Sequence, residues 1–367
     1  MSPASAQEPW DRRRLTASAP RRATFFTCRV DSSVLYVVVD GFFGDTGKGK
    51  VVSYLAAADR PALCVRTGAP NAGHTVMING VAHVLRALPA CFTHHEARLA
   101  VAPGALIRVD IFLDEVNKYG RGKSHVDYNT GVIEDRHVSA ELEDEYLMRV
   151  IGSTGQGVGA AVVDRVLRRL RLARDFDVLK PYLADVPSLV HELKDRGVII
   201  EGTQGTFLSL YHGTYPYVTS RDVTASGVLS EAGVGPKAAD EIVLVFKAYV
   251  TRVGGGPLPG ELPPEEVERR GWAERGAVTG RQRRAAPFNI DLAKRAVLLN
   301  TPTQIAITKV DAIFREAAGK ARWGDLPPEA RRWIDEIESQ LGVPVTLIGT
   351  GPEPWHVIDL RREKGRL

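Results

Sequence analysis

The sequence lacks three features that would each assign a broad class of protein. It has no apolar run of membrane-spanning length. Its three cysteines, Cys28, Cys64 and Cys91, match no metal-binding or CxxC spacing, which favours a reducing compartment. Its net charge is only +4 and its basic residues are scattered, so no nucleic-acid-binding surface is expected. These absences predict a cytoplasmic protein that handles small anionic molecules.

The composition is that of a soluble globular protein, with 44% hydrophobic and 25% charged residues in 367. Residues 1–33 are rich in Ser, Ala, Pro and Arg and show no periodicity, so we predict a mobile N-terminal extension. No repeat or Pro/Ser-rich linker divides residues 34–367, which predicts a single catalytic domain. Its strand-like and helical segments indicate an α/β fold with a central, mostly parallel sheet flanked by helices.

A glycine-rich loop follows the first strand-like run. Residues 34–39 predict a strand and residues 51–58 a helix. Between them lie three glycines, two lysines and a carboxylate: Gly44, Gly47, Gly49, Lys48, Lys50 and Asp45. A strand, a glycine loop and a helix together direct backbone N–H groups towards a phosphate. The alternative is an ordinary glycine-rich turn with lysines on the surface.

The spacing of this loop nearly fits the Walker A pattern. Val51, however, stands where that pattern has a magnesium-binding Ser or Thr. Asp45 is the hard oxygen ligand available inside the loop, and a carboxylate beside a transferring phosphate can also act as a base. Asp45 is therefore predicted as a magnesium ligand, a general base, or both.

Several later segments place polar residues beside glycines or strand ends. Residues 67–75 form a loop containing Asn71 and His74, and residues 202–206 follow the buried-strand pattern 197–201, where ligands gather in open α/β sheets. Residues 242–250 predict one further strand. For a single loop histidine, an ordinary surface residue is the alternative.

The second glycine loop, residues 151–159, precedes a predicted basic helix over residues 160–174. Its apolar residues recur at helical spacing and are expected to face the core: Val162, Val166, Leu167 and Leu170. The arginine loop, residues 276–284, could grip a carboxylate or phosphate, or be a plain exposed loop. The TKVD segment, residues 308–311, follows a strand and resembles the base-reading motif of guanine nucleotide proteins.

Nine segments together resemble the adenylosuccinate synthetase family, and all occur in the family's order. They are GDTGKGK, NAGHT, STGQGVG, EGTQGT, HGTYPYVTS, RVGGGP, VTGRQRR, TKVD and GTGP. The resemblance runs from about Leu35 to the C-terminus and is closest to the short form of archaea and some phages. It implies the P-loop-like fold of that family and a ligase that forms a C–N bond.

The resemblance also implies a mechanism. Asp45 removes the N1 proton of a 6-oxopurine nucleoside monophosphate, and the 6-oxygen attacks the γ-phosphate of a nucleoside triphosphate. His74 and Lys48 neutralise charge with Mg²⁺, which is held by Asp45 and the Gly73 carbonyl. The amine of L-aspartate then displaces the 6-phosphoryl group.

Binding roles follow from the same resemblance. The purine nucleotide is expected at Asn71, Ser153, Thr154, Arg168, Gln204, Thr219, Val253 and Arg281. Aspartate is expected at Val278, Thr279, Arg281 and Arg283. The triphosphate donor is expected at Gly44, Thr46, Gly47, Lys48, Gly49, Lys50, Lys309, Asp311, Gly349, Gly351 and Pro352. Arg168 would act across the interface of a homodimer; no nucleic acid or membrane partner is expected.

Some residues depart from the family pattern around the predicted site. FFGDTGKGK replaces the usual QWGDEGKGK, so that Phe42, Phe43 and Thr46 stand beside the catalytic loop, and GPLPGEL replaces GPFPTEL. We interpret these changes as lying around the purine and sugar, which favours dGMP, the substrate of a phage branch, over IMP. The product would be N6-succino-2-amino-2′-deoxyadenylate. TKVD favours GTP as donor, and the phage branch ATP or dATP. The same motifs are also compatible with a P-loop GTPase or with a non-catalytic nucleotide-binding protein.

Overall fold

The structure is a computed structural model that describes residues 33–276, 278 and 280–367. These residues all belong to one compact unit. Nearly all of the predicted N-terminal extension, residues 1–33, lies outside the described residues, as does Thr279. The extension and the single catalytic domain therefore stay predictions.

Short strands and helices alternate along the described chain. The strands are β1 (Leu35–Asp40), β2 (Leu63–Arg66), β3 (His74–Ile78), β4 (Val81–Leu85), β5 (Arg98–Val101), β6 (Leu106–Ile107), β7 (Ser124–Asp127), β8 (Gly131–Val132), β9 (Leu183–Ala184), β10 (Val198–Glu201), β11 (Glu241–Lys247), β12 (Tyr249–Arg252), β13 (Arg284–Pro287), β14 (Gln304–Thr308), β15 (Val345–Gly349) and β16 (Val357–Asp359). The α-helices are α1 (Lys48–Asp59), α2 (Val109–Glu115), α3 (Asp135–Glu143), α4 (Val158–Val166), α5 (Val186–Leu193), α6 (Ala225–Ala232), α7 (Pro264–Arg269), α8 (Ile290–Asn300), α9 (Val310–Ile313) and α10 (Pro328–Leu341).

Ten strands form one sheet in the order β16-β15-β14-β11-β1-β10-β2-β5-β7-β9. Every neighbouring pair is parallel except β15 with the edge strand β16. The central strands are buried apolar runs because helices cover both faces of a parallel sheet. The predicted α/β fold with a mostly parallel sheet is confirmed.

The predicted strand over residues 242–250 is in fact two strands. β11 stays in the large sheet and ends at Lys247, whereas β12 pairs antiparallel with β13. The chain bends at Ala248, whose N–H donates to the Thr308 carbonyl at the end of β14. This bend carries the residues after β12 away from the large sheet.

The predicted basic helix is shorter than its periodicity indicated. Helix α4 ends at Val166, and Arg168 adopts a left-handed backbone conformation with φ 59°. Leu170 is buried as predicted, but the prediction for Val166 and Leu167 is wrong, because these side chains are 65% and 49% exposed. The chain turns back here because the amides of residues 169 and 170 bond to the Asp164 carbonyl.

Cysteine pairing departs from the sequence interpretation. Cys64 on β2 forms a disulfide with Cys91, which lies in the short 3₁₀ turn Ala90–Thr93. Both residues are buried. Because they are 27 residues apart, no short spacing pattern could indicate the pair.

The C-terminal segment is fastened to the first strand and helix. The buried Arg361 guanidinium donates to Asp59 at 2.6 and 3.0 Å, to Asp359 at 2.7 Å and to the Tyr36 hydroxyl at 3.0 Å. Asp59 ends α1 and Tyr36 lies in β1. In the described part of the chain, no helix has the length and apolar character needed to cross a membrane.

Candidate active site

The glycine loop is organised by one buried carboxylate, Asp40, at the end of β1. Its Oδ1 accepts from the amides of Phe42 at 2.9 Å and Gly44 at 3.2 Å. Its Oδ2 accepts from the Thr46 hydroxyl at 2.5 Å and from Lys48 Nζ at 2.8 Å. Bonds to an ionised acceptor are about twice as strong as neutral ones, so this carboxylate shapes the loop. Sequence reasoning missed Asp40.

The loop after β10 packs directly against the glycine loop. The Gln204 carbonyl accepts from Lys48 Nζ at 2.5 Å, and Gln204 has a left-handed φ of 62°. A β-carbon on Gly205 would lie 2.3 Å from the Gly44 amide nitrogen, so only glycine fits there. The structure therefore brings the predicted residues Gln204, Lys48 and Gly44 together.

Lys50 joins the glycine loop to the last glycine turn. Its Nζ donates to the carbonyls of Gly351 at 2.5 Å and His356 at 2.8 Å. The pKa of Lys50 is lowered to about 7, mainly by burial; the Asp311 charge opposes this shift and the Lys309 charge adds to it. Pro352 is exposed beside this turn, and Gly349 ends β15.

His74 is the first residue of β3 rather than part of a loop. Its Nδ1 bonds to the buried Glu201, which also pairs with Arg66 at 3.1 Å and accepts from the Ala90 amide at 2.6 Å. Burial, together with the Arg66 charge, lowers the pKa of His74 to about 4. A β-carbon at Gly49 would lie 3.0 Å from the His74 β-carbon, so the histidine packs on the start of α1. Sequence reasoning missed Glu201 and Arg66.

Asp45 contacts the arginine loop. Its Oδ1 lies 2.9 Å from a terminal nitrogen of Arg283, and its backbone is left-handed with φ 59°. The structure thus places the predicted base beside a residue predicted to bind aspartate. Val278 lies in the same loop and is half-buried, whereas Thr279 is outside the described residues.

A second carboxylate, Glu274, lies between the arginine loop and the TKVD segment and pairs with three cationic side chains. It accepts from Arg283 at 2.5 Å, Lys247 at 3.0 Å, Lys309 at 3.0 Å and the Tyr249 hydroxyl at 2.5 Å. Burial acts to raise the pKa of Glu274, but these neighbours outweigh it and hold the pKa well below its usual range. Neither Glu274 nor Lys247 was found from the sequence.

The TKVD segment touches the glycine loop at the end of β14. The Thr308 hydroxyl donates to the Thr46 carbonyl at 2.5 Å, and Gly47 packs against the Thr308 side chain. Asp311 Oδ1 is buried without a hydrogen-bond partner among the described residues. A buried acceptor without a partner is costly, which suits an oxygen meant for a ligand.

Three of the predicted purine nucleotide residues, Ser153, Val253 and Arg281, adjoin or contact Gly152 and the neighbouring Gly254–Gly255 turn. The Ser153 hydroxyl donates to Glu141, and Arg281 donates to the Gly152 carbonyl at 2.8 Å. A β-carbon on Gly152 would lie 3.3–3.4 Å from the Gly254–Gly255 turn, which follows Val253.

The remaining nucleotide residues are more dispersed. Thr154 adjoins Ser153, and the Thr219 amide donates to the Leu208 carbonyl. Asn71 Oδ1 is buried and lacks a partner among the described residues. Arg168 is exposed beyond the end of α4.

Comparisons with known proteins show the family to which the chain belongs. The sequence model of the family "Adenylosuccinate synthetase" matches residues 37–176 and 170–318 of this chain. The adenylosuccinate synthetase of Archaeoglobus fulgidus is 46% identical over 332 residues, covering 89% of this chain and 98% of that protein. The chain belongs to the adenylosuccinate synthetase family. Its members are ligases that form a C–N bond, and they use GTP and Mg²⁺.

Other adenylosuccinate synthetases and one phage enzyme are also similar. The enzyme of Methanocaldococcus jannaschii is 47% identical over 334 residues, covering 89% of this chain and 97% of that protein. The fully ligated Plasmodium falciparum adenylosuccinate synthetase shares the fold, with a TM-score of 0.81 at 23% identity over 89% of this chain and 100% of its own. The cyanophage S-2L succinoaminodeoxyadenylate synthetase (PurZ), bound to dGMP and dATP, has a TM-score of 0.73 at 26% identity, covering 89% and 95%.

Most of the side chains that differ from the adenylosuccinate synthetase pattern beside the glycine loop are buried within the protein. Phe42 packs in an aromatic cluster with Phe246 and Phe288, at centroid distances of 4.8 and 5.3 Å. The Thr46 hydroxyl is bound to Asp40. The interpretation that these two side chains surround the purine is therefore wrong, because both are buried in contact with protein. Phe43 is also buried, beneath the Arg252 guanidinium at 4.5 Å.

The predicted magnesium ligands are a carboxylate, Asp45, and a main-chain carbonyl, that of Gly73, which immediately precedes β3. Among the described residues, no cluster of three His, Cys, Asp or Glu side chains could hold a metal. Such a cluster is not needed, because Mg²⁺ commonly takes one or two protein oxygens and completes its shell with water and phosphate. The donor set therefore fits the ion used by the family.

Proposed function

We propose that this chain joins L-aspartate to C6 of a 6-oxopurine nucleoside monophosphate with hydrolysis of a nucleoside triphosphate. The observation that carries the proposal is the 2.9 Å contact between Asp45 and Arg283. This contact places a candidate base in the glycine loop next to a candidate ligand for the aspartate carboxylate. A simple nucleotide hydrolase has no use for that pairing.

In the proposed reaction, Asp45 accepts the N1 proton of the purine, and the 6-oxygen attacks the γ-phosphate. Lys48 supplies positive charge beside the transferring group. Mg²⁺, held by Asp45 and the Gly73 carbonyl, would supply further charge neutralisation at the phosphates. The aspartate amine, steered by Arg283, then displaces the phosphorylated oxygen, which is a far better leaving group than the original one.

His74 acts in this scheme through its second ring nitrogen. Glu201 occupies Nδ1 and fixes the ring, which leaves Nε2 for the substrate. The imidazole is neutral before nucleotides bind, because burial lowers its pKa to about 4. A phosphate placed beside it raises that pKa and favours proton donation.

We propose IMP as the nucleotide and GTP as the donor. Archaeal adenylosuccinate synthetases are 46–47% identical to this chain over almost their whole length. The buried positions of Phe42 and Thr46 remove much of the reason for expecting an altered purine pocket. The buried, unpartnered Asp311 oxygen suits the N–H groups of guanine.

The second candidate pair is dGMP with ATP or dATP. The similarity to the cyanophage enzyme bound to dGMP and dATP is the observation that supports it. In that case the product would be N6-succino-2-amino-2′-deoxyadenylate.

A homodimer completes the proposed site. Arg168 is exposed on a segment whose apolar neighbours Val163, Val166 and Leu167 are exposed as well. An apolar surface of this kind is typical of a subunit interface. We therefore propose that Arg168 reaches the monophosphate of the partner subunit. The cytoplasm is the proposed compartment, where purine nucleotides are made.

One assay tests the reaction and its substrates. The purified full chain is incubated with Mg²⁺, aspartate and either IMP or dGMP, with GTP, ATP or dATP as donor, and phosphate release and succinylated product are measured. We expect product from IMP with GTP, and none when aspartate or the monophosphate is omitted. Turnover preferring dGMP would favour the second pair. Phosphate release independent of aspartate would indicate a GTPase, and nucleotide binding without turnover a non-catalytic protein.

A further inference from the structure

Glu274 connects two groups of residues that the proposed function assigns to different substrates. Its Oε2 accepts from Arg283 at 2.5 Å and from Lys247 at 3.0 Å. Its Oε1 accepts from Tyr249 at 2.5 Å and lies 3.0 Å from Lys309 Nζ. Arg283 belongs to the aspartate end of the site and Lys309 to the donor-base end. One carboxylate therefore contacts both ends.

The three cations around Glu274 differ in their freedom to move. The side chains of Lys247 and Arg283 are 1% and 10% exposed, whereas that of Lys309 is 50% exposed. Removing a fully buried cation from its carboxylate would leave two uncompensated charges, which is expensive. Lys309 can instead leave Glu274 at little cost, because water or a ligand replaces the contact.

The charge on Glu274 must then be balanced by the partners that remain. When Lys309 leaves, the carboxylate keeps two cations, Lys247 and Arg283, and each of them is held more strongly because the repulsion from the third positive charge is gone. Lys247 is already fixed by the Thr251 hydroxyl at 2.6 Å as well as by Glu274. Arg283 also has a second partner, Asp45 at 2.9 Å, so losing the Lys309 charge shifts the balance between the Glu274 and Asp45 contacts that orient Arg283.

We propose that Glu274 is a positioning residue that couples the donor-base end of the site to the aspartate end. The inference rests on the proposed function, because it uses the substrates assigned there. A donor base that draws Lys309 away leaves Arg283 more firmly oriented for the aspartate carboxylate. Since coupling is reciprocal, aspartate must in turn tighten donor binding.

The test measures the dissociation constant of GDP by calorimetry, with IMP present and with or without aspartate. GDP has no γ-phosphate, so the mixture cannot react. In the wild-type chain, aspartate is expected to tighten GDP binding at least about fivefold, the lower end of common coupling factors. In Glu274→Gln, the ratio of the GDP dissociation constants without and with aspartate is expected to fall below about twofold, because the substituted amide carries no charge to attract the arginine.

Glu261→Gln is the matched control. Glu261 pairs with Arg284, the neighbour of Arg283, at 2.7 Å, and this ion pair does not include Lys309. The Glu261→Gln variant should keep the wild-type ratio of GDP dissociation constants. If Glu274→Gln fails to fold, Lys309→Met replaces it, because that variant removes only the half-exposed contact. The ratio compares two constants of the same protein, so weaker GDP binding by Lys309→Met does not affect it.

Each result has a distinct meaning. Loss of the ratio in Glu274→Gln or Lys309→Met, with Glu261→Gln unchanged, supports the inference. A wild-type chain without coupling, a substituted chain that keeps it, or equal loss in the control overturns the inference alone. A wild-type chain that binds no GDP overturns GTP as the proposed donor, and the inference falls with it.

Discussion

Replacing Asp40 with asparagine tests whether one buried carboxylate holds the glycine loop in shape. The substitution keeps the size of the side chain but removes its charge and turns one acceptor oxygen into a donor. Lys48 and the Thr46 hydroxyl, which donate to Oδ2, then face either a donor or a neutral oxygen. The loop loses its anchor while the strand that carries it is unchanged.

The size of the effect follows from burial. Asp40 and Lys48 are both almost fully buried and lie 2.8 Å apart. Removing one member of a buried ion pair costs about 3–5 kcal/mol, because the other charge is left without a counter-ion. Whole domains are stable by only about 5–15 kcal/mol, so the loss is a large fraction. Asp240→Asn is a suitable control, because Asp240 accepts from the Leu35 amide at 2.8 Å without a lysine. It should cost about 1 kcal/mol.

Urea unfolding, followed by tryptophan fluorescence and circular dichroism, measures the free energy of unfolding of each variant. A shift of the midpoint at an unchanged m-value gives the difference between two variants. Lys48→Met and the double variant Asp40→Asn/Lys48→Met complete a thermodynamic cycle. The double variant should be destabilised by about 1–3 kcal/mol less than the sum of the single variants. The reasoning is refuted if Asp40→Asn costs no more than Asp240→Asn, or if the two single effects add.

Four further predictions concern the reaction and the stability of the chain. His74→Ala and Asp45→Asn should each lower ligation at least about a hundredfold with an unchanged circular-dichroism spectrum, because general acid–base groups contribute about that much or more; near-normal turnover would contradict the mechanism. Donor affinity measured by calorimetry should fall as the pH rises through about 7, because Lys50, which we propose to bind the triphosphate donor, then loses its positive charge, and Lys50→Met should flatten this profile. The unfolded lysine keeps its proton to a higher pH, so the free energy of unfolding should rise with pH above about 7 more in the wild type than in Lys50→Met. Arg168→Ala should raise the KM for IMP about tenfold or more, the usual loss of a charged hydrogen bond to phosphate, while light scattering still shows a dimer; an unchanged KM would remove Arg168 from the site.

The strands that carry the site were predictable because of where they lie in the sheet. β1, β10, β14 and β15 are buried on both faces and are therefore short apolar runs bounded by glycine or polar residues. The glycine-rich and arginine-rich segments follow these ends, so their meeting at one edge of the sheet could be expected from the order of elements.

The carboxylates that organise the site were not predictable in the same way. Glu201 meets His74 across 127 residues of sequence, and Glu274 meets Lys247 across 27. No local spacing describes such contacts, because the fold alone brings the partners together. Asp40 was the exception that could have been found, since an acidic residue that ends an apolar strand and precedes a glycine loop is an expected anchor.

Helix α4 shows a different limit of prediction from the sequence. Its apolar periodicity correctly indicates an apolar face but does not say what covers that face. Val166 and Leu167 are exposed in the single chain, where burial in the core had been predicted. The Cys64–Cys91 disulfide was missed for a related reason, because pairing depends on distance in space rather than on spacing in sequence.

The fastening of Arg361 to α1 has a consequence for synthesis on the ribosome. The glycine loop is translated about 300 residues before Arg361, yet Asp59 at the end of its helix gains the buried Arg361 guanidinium only when residue 361 has been made. Strand β1 also waits for its neighbours at residues 198–201 and 241–245. A nascent chain therefore holds the glycine loop and its helix without these partners until residue 361 has been made. Truncation between Pro352 and Arg361 should leave that segment unsupported even though every residue proposed to contact a substrate is present.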